Sequence, residues 1–202
     1  MSDNSRSVPD EASLRSAAAT TIFDAKGQPV KFGSLLREPV IVVFIRHFFC
    51  GSCQQYVMQL SSVRLEALSK ANRKVIIVGC GSYEVIAAYK ETTSCPFSIY
   101  ADPKRELYHA LGMTIETLAL TPANEKRRSY LQKGLLGNIL SSLWSGPLKN
   151  PSLIGKQGKI SQLGGEFVFD SDITCTFAYR MKHTEDHTEV SELMQAAGVE
   201  YP

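Results

Sequence analysis

The sequence is short of several things, and each shortage removes a class of protein. No stretch approaches the roughly 18 consecutive apolar residues of a membrane-spanning helix; the longest clean run is Val40 to Ile45. An excess of charge of one sign is missing too: 22 Lys+Arg stand against 20 Asp+Glu, a net charge of +2. That balance gives no global attraction to a polyanion, so nucleic acid is not an expected partner. With 14 Gly and 9 Pro in 202 residues, collagen-like and low-complexity chains are out. The first twenty residues lack an apolar core and carry Asp3, Asp10 and Glu11, so neither a secretory signal nor an acid-poor transit peptide fits. Cytosol or nucleus is the expected address. No GxGxxG or P-loop motif is present, and no organic cofactor or metal is expected.

Five cysteines are present, only two of them close together. An odd number in a chain this long does not make a secreted disulfide framework, which points to a reducing compartment and to redox or nucleophilic chemistry.

The pattern along the chain is that of an α/β protein. Residues 1–15 are polar and are expected to form a flexible arm, leaving 16–202 as a single domain. Residues 20–24 and 30–32 around Gly27 predict a β-hairpin. Val40 to Ile45 and Val75 to Val78 are continuous β-branched runs, the signature of parallel strands buried on both faces. Between them Tyr56, Val57, Leu60, Val63, Ala67 and Leu68 form a helical stripe from Cys50 to about Asn72, completing a β-α-β unit. Further helices are predicted at 83–91 and 104–111, with strands at 97–100, 166–169 and 175–179. A last helix is expected near 188–197, capped by Gly198. Residues 122–162 interrupt this alternation. They carry Lys126, Arg127, Arg128, Lys133 and Lys149 against Glu125, with a leucine stripe and Trp144, and predict an inserted helix or helix pair followed by a loop. A basic helix of this kind is most simply laid on the core with its charged edge in water; contact with a membrane or partner through 125–149 is the alternative.

Cys50-Gly51-Ser52-Cys53 falls where a buried strand hands over to a helix. The first turn of a helix has unpaired N–H groups and a partial positive charge, which stabilise a thiolate. A thiol of pKa about 8.5 is only a few percent ionised at pH 7, whereas one near 7 is about half ionised. The two-residue spacing lets Cys53 attack an oxidised or mixed-disulfide form of Cys50. Cys50, nearer the loop, is therefore the expected nucleophile and Cys53 the resolving thiol. The alternatives are a zinc half-site, for which two further ligands at suitable spacing are hard to find, and a pair with a packing role only.

The residues Phe44-Ile45-Arg46-His47-Phe48-Phe49-Cys50-Gly51-Ser52-Cys53, Tyr100-Ala101-Asp102-Pro103 with Leu107-Tyr108 and Leu111-Gly112, and Gln162 to Phe169 with Asp186-His187 resemble the peroxiredoxin-like branch of the AhpC/TSA group. Arg127-Arg128-Ser129-Tyr130 and Gly134-Leu135 are also similar to that branch. The resemblance implies a thioredoxin-like fold, a central mixed sheet flanked by helices, acting on disulfide or peroxide substrates. It also leaves room for thioredoxin or glutathione as reductant and for a homodimer. Two departures stand out. A PxxxTxxC loop would place Pro at Val43 and Thr at His47, and a thioredoxin cis-proline would precede the strand at Glu166, where Gly164-Gly165 stand instead.

Around the pair, Arg46 and His47 lie at the carboxyl end of the strand, where ligands bind in open sheets, and could stabilise the thiolate and supply a proton. Their other reading is a salt bridge and a satisfied loop residue. Gly164 and Arg180 complete the candidate set, Arg180 because an arginine near the thiolate would help. Asp186-His187 are expected as a polar helix entry capped by Thr188, with an approach to the active-site end as the alternative. Cys80, Cys95 and Cys175 are expected to pack as small hydrophobes. The function expected is that of a thiol-disulfide oxidoreductase. A thiol peroxidase is the alternative in the same class, and a non-catalytic binding module of the same fold the alternative outside it.

Overall fold

The computed structural model describes residues 4–131 and 151–202. Of the predicted insert over 122–162, residues 132–150 lie outside the described residues; 122–131 and 154–162 are turns and loop, and Pro151–Leu153 is a 3-10 turn.

Strands β1 (Thr21–Phe23), β2 (Pro29–Lys31), β3 (Val40–Phe44), β4 (Lys74–Gly79), β5 (Ser98–Ala101), β6 (Gly165–Phe169) and β7 (Cys175–Arg180) form one mixed sheet in the order β2-β1-β5-β4-β3-β6-β7. β3, β4 and β5 are mutually parallel, while β6 runs antiparallel to β3 and β7 to β6. The hairpin expected around Gly27 is β1–β2. As the unbroken β-branched run predicts, every residue of β3 is buried. Ile41, Val43 and Ile45 face a core that includes Tyr56, Val57 and Leu60 of α3 (Gly51–Leu60), Tyr89 of α5 (Ile86–Thr93) and Leu193 of α7 (Val190–Ala196). Val40, Val42 and Phe44 face a second core with Ala17 of α1 (Glu11–Ala19), Phe32 of α2 (Phe32–Leu35) and Tyr108 of α6 (Glu106–Ala110). The sheet thus has an apolar layer on each side, the condition under which parallel strands occur. Among the described residues no helix is long and apolar enough to cross a membrane.

Three expectations change here. The stripe from Cys50 to Asn72 is two helices, α3 and α4 (Leu65–Lys70). Ser61 and Ser62 donate their hydroxyls to the carbonyls of Val57 and Gln59, at 2.7 and 2.6 Å, and Arg64 is extended. Serines that satisfy backbone carbonyls locally end a helix that the apolar spacing alone would continue. In place of a loose arm, residues 4–19 hold a 3-10 turn (Asn4–Arg6) and α1, which Asp10 caps by accepting from Ser13 N at 2.8 Å. The turn is tied down by Arg6 to Glu192 and by Arg180 to the carbonyls of Asn4 and Ser7. Finally, α7 begins after Glu189 rather than Thr188, because the Thr188 N–H is turned inward to Glu166.

The carboxyl ends of β3 and β4 are fixed before the loop carrying the cysteines departs. Ile45 N donates to Val78 O at 2.9 Å, and the Tyr108 hydroxyl sits 2.6 Å from Ile45 O and 3.0 Å from Val78 O. Gly164 lets β6 approach this point: a Cβ there would lie 1.8 Å from Phe44 O. No side chain fits that gap.

Candidate active site

Cys50 is the N-cap residue of α3, with its backbone extended and its carbonyl already accepting from Gln54 N. Its thiol therefore lies at the positive end of a ten-residue helix. Arg46, four residues back at the end of β3, donates from Nη1 to Cys50 Sγ at 3.3 Å. The Ser52 hydroxyl is 3.1 Å from the same sulfur and bonds Thr184 O at 3.0 Å. Arg46 is held in turn by its Nη2, which donates to Ile160 O at 2.6 Å. That carbonyl comes from a segment crossing the sheet end, where Phe48 N bonds Gln157 O and Ser82 N bonds Lys156 O. Gly158 permits the crossing: its φ is +94°, and a Cβ would lie 2.6 Å from the Cys80 carbonyl.

Cys53, one turn further along α3, is fully buried, whereas Cys50 keeps 4% of its surface exposed. The backbone N–H of Arg46 points at Cys53 Sγ, 3.3 Å away, and on the other side His187 Nε2 is also 3.3 Å away. His187 is bonded through Nδ1 to the carboxylate of Glu166, a wholly buried acid on β6. Its ring stacks on Tyr56 with centroids 4.4 Å apart, and its backbone N–H donates to the Tyr130 hydroxyl at 3.1 Å. The loop that brings it here is pinned by Asp186, which accepts from Arg128 at 2.6 Å, from the Tyr179 hydroxyl at 2.7 Å and from Lys182 N at 2.8 Å.

The two thiols are driven in opposite directions. Cys50 is held well below the ordinary thiol range: a hydrogen bond from the Cys53 thiol leads, and the charges of His47 and Arg46 and the Ser52 bond add to it against the cost of burial. Cys53 is pushed well above that range, first by burial and then by the hydrogen bond and negative charge it shares with Cys50. A buried dithiol so divided keeps one sulfur as nucleophile and the other as a protonated reserve.

The family model for the AhpC/TSA antioxidant enzyme matches residues 59–183, and human peroxiredoxin-like 2C is 33% identical over 201 residues, covering 96% of this chain and 85% of that protein. The chain belongs to the AhpC/TSA antioxidant enzyme family. It is thus of the peroxiredoxin-like thiol peroxidase and oxidoreductase class, with a thioredoxin-like fold. Solved structures show the same fold at low identity. A Mycobacterium tuberculosis peroxidoxin, BcpB, matches with TM-score 0.59 at 10% identity over 89% of this chain and 91% of that one. A secreted disulfide oxidoreductase of the same organism matches with TM-score 0.51 at 11% identity over 94% and 98%. The family model begins at residue 59, so Cys50 and Cys53 lie outside its match.

Of the residues singled out in the sequence, this AhpC/TSA-family chain brings Cys50, Cys53, Arg46 and His47 together. His47 is buried, accepts from Cys50 N through its carbonyl, and is pushed towards its neutral form chiefly by burial. Gly164 contributes a close backbone approach. Arg180 is placed elsewhere: Nε donates to Leu111 O at 2.6 Å, Nη1 to Asn4 and Ser7, and the guanidinium lies over the Phe167 ring. Its position on β7 sends it to the opposite face of the sheet, which local sequence could not reveal. The singletons serve packing and support. Cys80 donates to Arg46 O at 2.9 Å and is pushed up to about 11 by burial; Cys175 is likewise pushed to about 11.

The sequence did not single out Glu166, and of the two readings of His187, a helix entry or an approach to the active-site end, the structure has the second. A clue was available, since Glu166 interrupts an otherwise apolar strand, Gly165-Glu166-Phe167-Val168-Phe169. Among the described residues one cluster has metal-ligand character, Glu125, His183 and Asp186, with ligand atoms within 4.8 Å of one another. Neither CxxC cysteine belongs to it, and Asp186 is already engaged by Arg128, Tyr179 and Lys182 N.

Proposed function

We propose that the chain is a thiol-disulfide oxidoreductase in which Cys50 attacks and Cys53 resolves. One observation carries this reading: a single residue, Arg46, addresses both sulfurs, its guanidinium on Cys50 and its backbone N–H on Cys53. A thiolate at Cys50 attacks a substrate disulfide, forms a mixed disulfide and releases one thiol. Cys53 then attacks Cys50 Sγ and releases the second. Two electrons pass from the dithiol to the substrate, and an external thiol such as thioredoxin or glutathione returns them. The test is to oxidise reduced protein with a disulfide and, separately, with a hydroperoxide, and to map the product by mass. A Cys50–Cys53 bond is expected, and its absence under both oxidants sinks the reading.

Hydroperoxide is the second substrate class, favoured by polar atoms left without partners beside Cys50. Arg46 Nε, His47 Nδ1 and Thr184 Oγ1 are buried and unbonded. Buried polar atoms of this kind are costly unless something satisfies them. An O–O group at Cys50 would be polarised there by Arg46 and protonated on its leaving oxygen. Hyperoxidation of Cys50 at high peroxide, and loss of peroxide consumption in Cys50→Ser, are the expected signs. A non-catalytic module of the same fold predicts an ordinary Cys50 pKa, against the downward direction derived above. Cytosol or nucleus remains the compartment proposed, on the strength of a CxxC that needs a reducing pool.

A further inference from the structure

A resolving thiol faces a difficulty here. Cys53 is wholly buried and held in its protonated form, yet only the thiolate attacks a disulfide. In the resting dithiol its proton is directed to the Cys50 thiolate. Once Cys50 carries a substrate sulfur or oxygen that negative charge is gone, and the Cys53 S–H needs another acceptor. The remaining side-chain acceptor at Cys53 Sγ is His187 Nε2, at 3.3 Å. In the neutral imidazole Glu166 fixes the tautomer: its carboxylate can only accept, so Nδ1 carries the hydrogen and Nε2 presents its lone pair to the sulfur.

We propose that His187 is the general base for Cys53, oriented by Glu166, so that a buried Glu166–His187–Cys53 relay times the resolving step. This rests on the dithiol reading above. In the step, the Cys53 S–H bond breaks and its proton passes to His187 Nε2. The Cys53 sulfur pair forms the bond to Cys50 Sγ, and the substrate thiolate leaves with the bonding pair and takes up the proton. Cys50 and Cys53 together lose two electrons, and the substrate gains them. The imidazolium that forms is balanced by the Glu166 carboxylate, itself steadied by Thr188 N at 3.3 Å. His187 is a catalytic residue in this scheme and Glu166 a positioning residue.

The groups around the imidazole suit the role. α3 presents Cys53 and the stacked Tyr56, β6 presents Glu166, and the segment before residue 131 presents the Tyr130 ring edge and hydroxyl. Tyr56 and Tyr130 are both pushed above the ordinary phenol range, chiefly by burial, and stay neutral. At one remove Asp186 is neutralised by Arg128, and Glu189 is bonded to Ser129.

The test uses a dipyridyl disulfide as probe and follows thiopyridone release by stopped flow. Wild type should give two phases, attack by Cys50 and then resolution; the second is identified by its loss in Cys53→Ser. His187→Asn keeps a donor for Glu166 and deletes the base. It should leave the first phase unchanged and slow the second about 10²-fold or more. Glu166→Gln should slow the second phase by less. The second phase of wild type should level off with rising pH, while that of His187→Asn keeps climbing with pH into the alkaline range. A native first phase certifies folding of each variant, and where one fails to fold the wild-type pH profile still decides. A normal first phase with an unchanged second phase overturns the relay alone, as does a wild-type second phase that rises with pH without levelling. A wild type with no first phase overturns the dithiol reading and the relay with it.

Discussion

The two ends of the central sheet differ in a way that separates volume from chemistry. At the amino ends of β3, β4 and β5 lies a cleft of about 640 Å³ lined by Arg37, Val40, Lys74, Phe97 and Tyr100 among others. Two of its cations are spent on surface partners: Arg73 on Asp170 at 2.6 Å, and Lys74 on Glu38. At the carboxyl ends a guanidinium, two imidazoles, a carboxylate and two thiols are all buried within one constellation. Burying such groups is unfavourable unless they bond one another, so their concentration marks the end at which function is built. Parallel strands explain the location. Their carboxyl ends release loops into the same region, here 45–50 after β3 and 80–82 after β4, while the segment 156–162 enters β6 there and β6 and β7 bring Glu166 and the 181–189 loop to it.

The comparison breaks most directly at Arg46. Arg46→Met removes the cation from Cys50 and frees Ile160 O, so the pH midpoint for Cys50 alkylation should rise. Once the midpoint lies above neutral pH, each further unit lowers the neutral-pH alkylation rate about tenfold. An unchanged midpoint, measured by iodoacetamide labelling across pH, would show that the thiol is activated without Arg46, by Cys53, His47, Ser52 and the helix terminus.

A second effect, smaller, concerns acid stability. His47 has a folded pKa below its unfolded value, so its contribution is present above about pH 6.5 and is lost as pH falls through that value towards the depressed one. The urea midpoint should therefore drop between pH 7 and pH 5, and His47→Gln, which does not titrate, should shrink that drop. An identical drop in the variant would assign the acid sensitivity to other groups. The smallest effect is expected at the opposite end. Lys74→Ala breaks an ion pair in which both side chains are more than half exposed, and should change stability by less than about 0.5 kcal/mol. It should also leave the Cys50 midpoint where it was; a shift would mean that the two ends are coupled.

Much of the frame was legible in the chain. The runs at Val40 to Phe44 and Val75 to Val78 could only be strands buried on both faces, and the alternation of strand and helix between them dictated a parallel core. Arg46, Cys50 and Cys53 were legible as a site because they sit on one strand-to-helix junction, where eight consecutive residues carry the geometry. The break after Leu60 was not, since the apolar stripe continues through it while two serines redirect the backbone. Arg180 and the docked N-terminal turn were misjudged for a common reason: each is placed by a partner more than 60 residues away, Leu111 in one case and Arg180 and Glu192 in the other.

The sequence by itself determined the class of fold and marked the cysteine pair at a strand-to-helix junction, because periodicity and a helix terminus are local properties. Only the tertiary structure decided what lies behind Cys53. Glu166 and His187 are 21 residues apart, on a strand and on the loop beyond the next one, and His187 is 134 residues from Cys53. A buried acid becomes acceptable only where the fold supplies its partner, so the strand pairing that sets Glu166 facing α3 also holds His187 against Cys53.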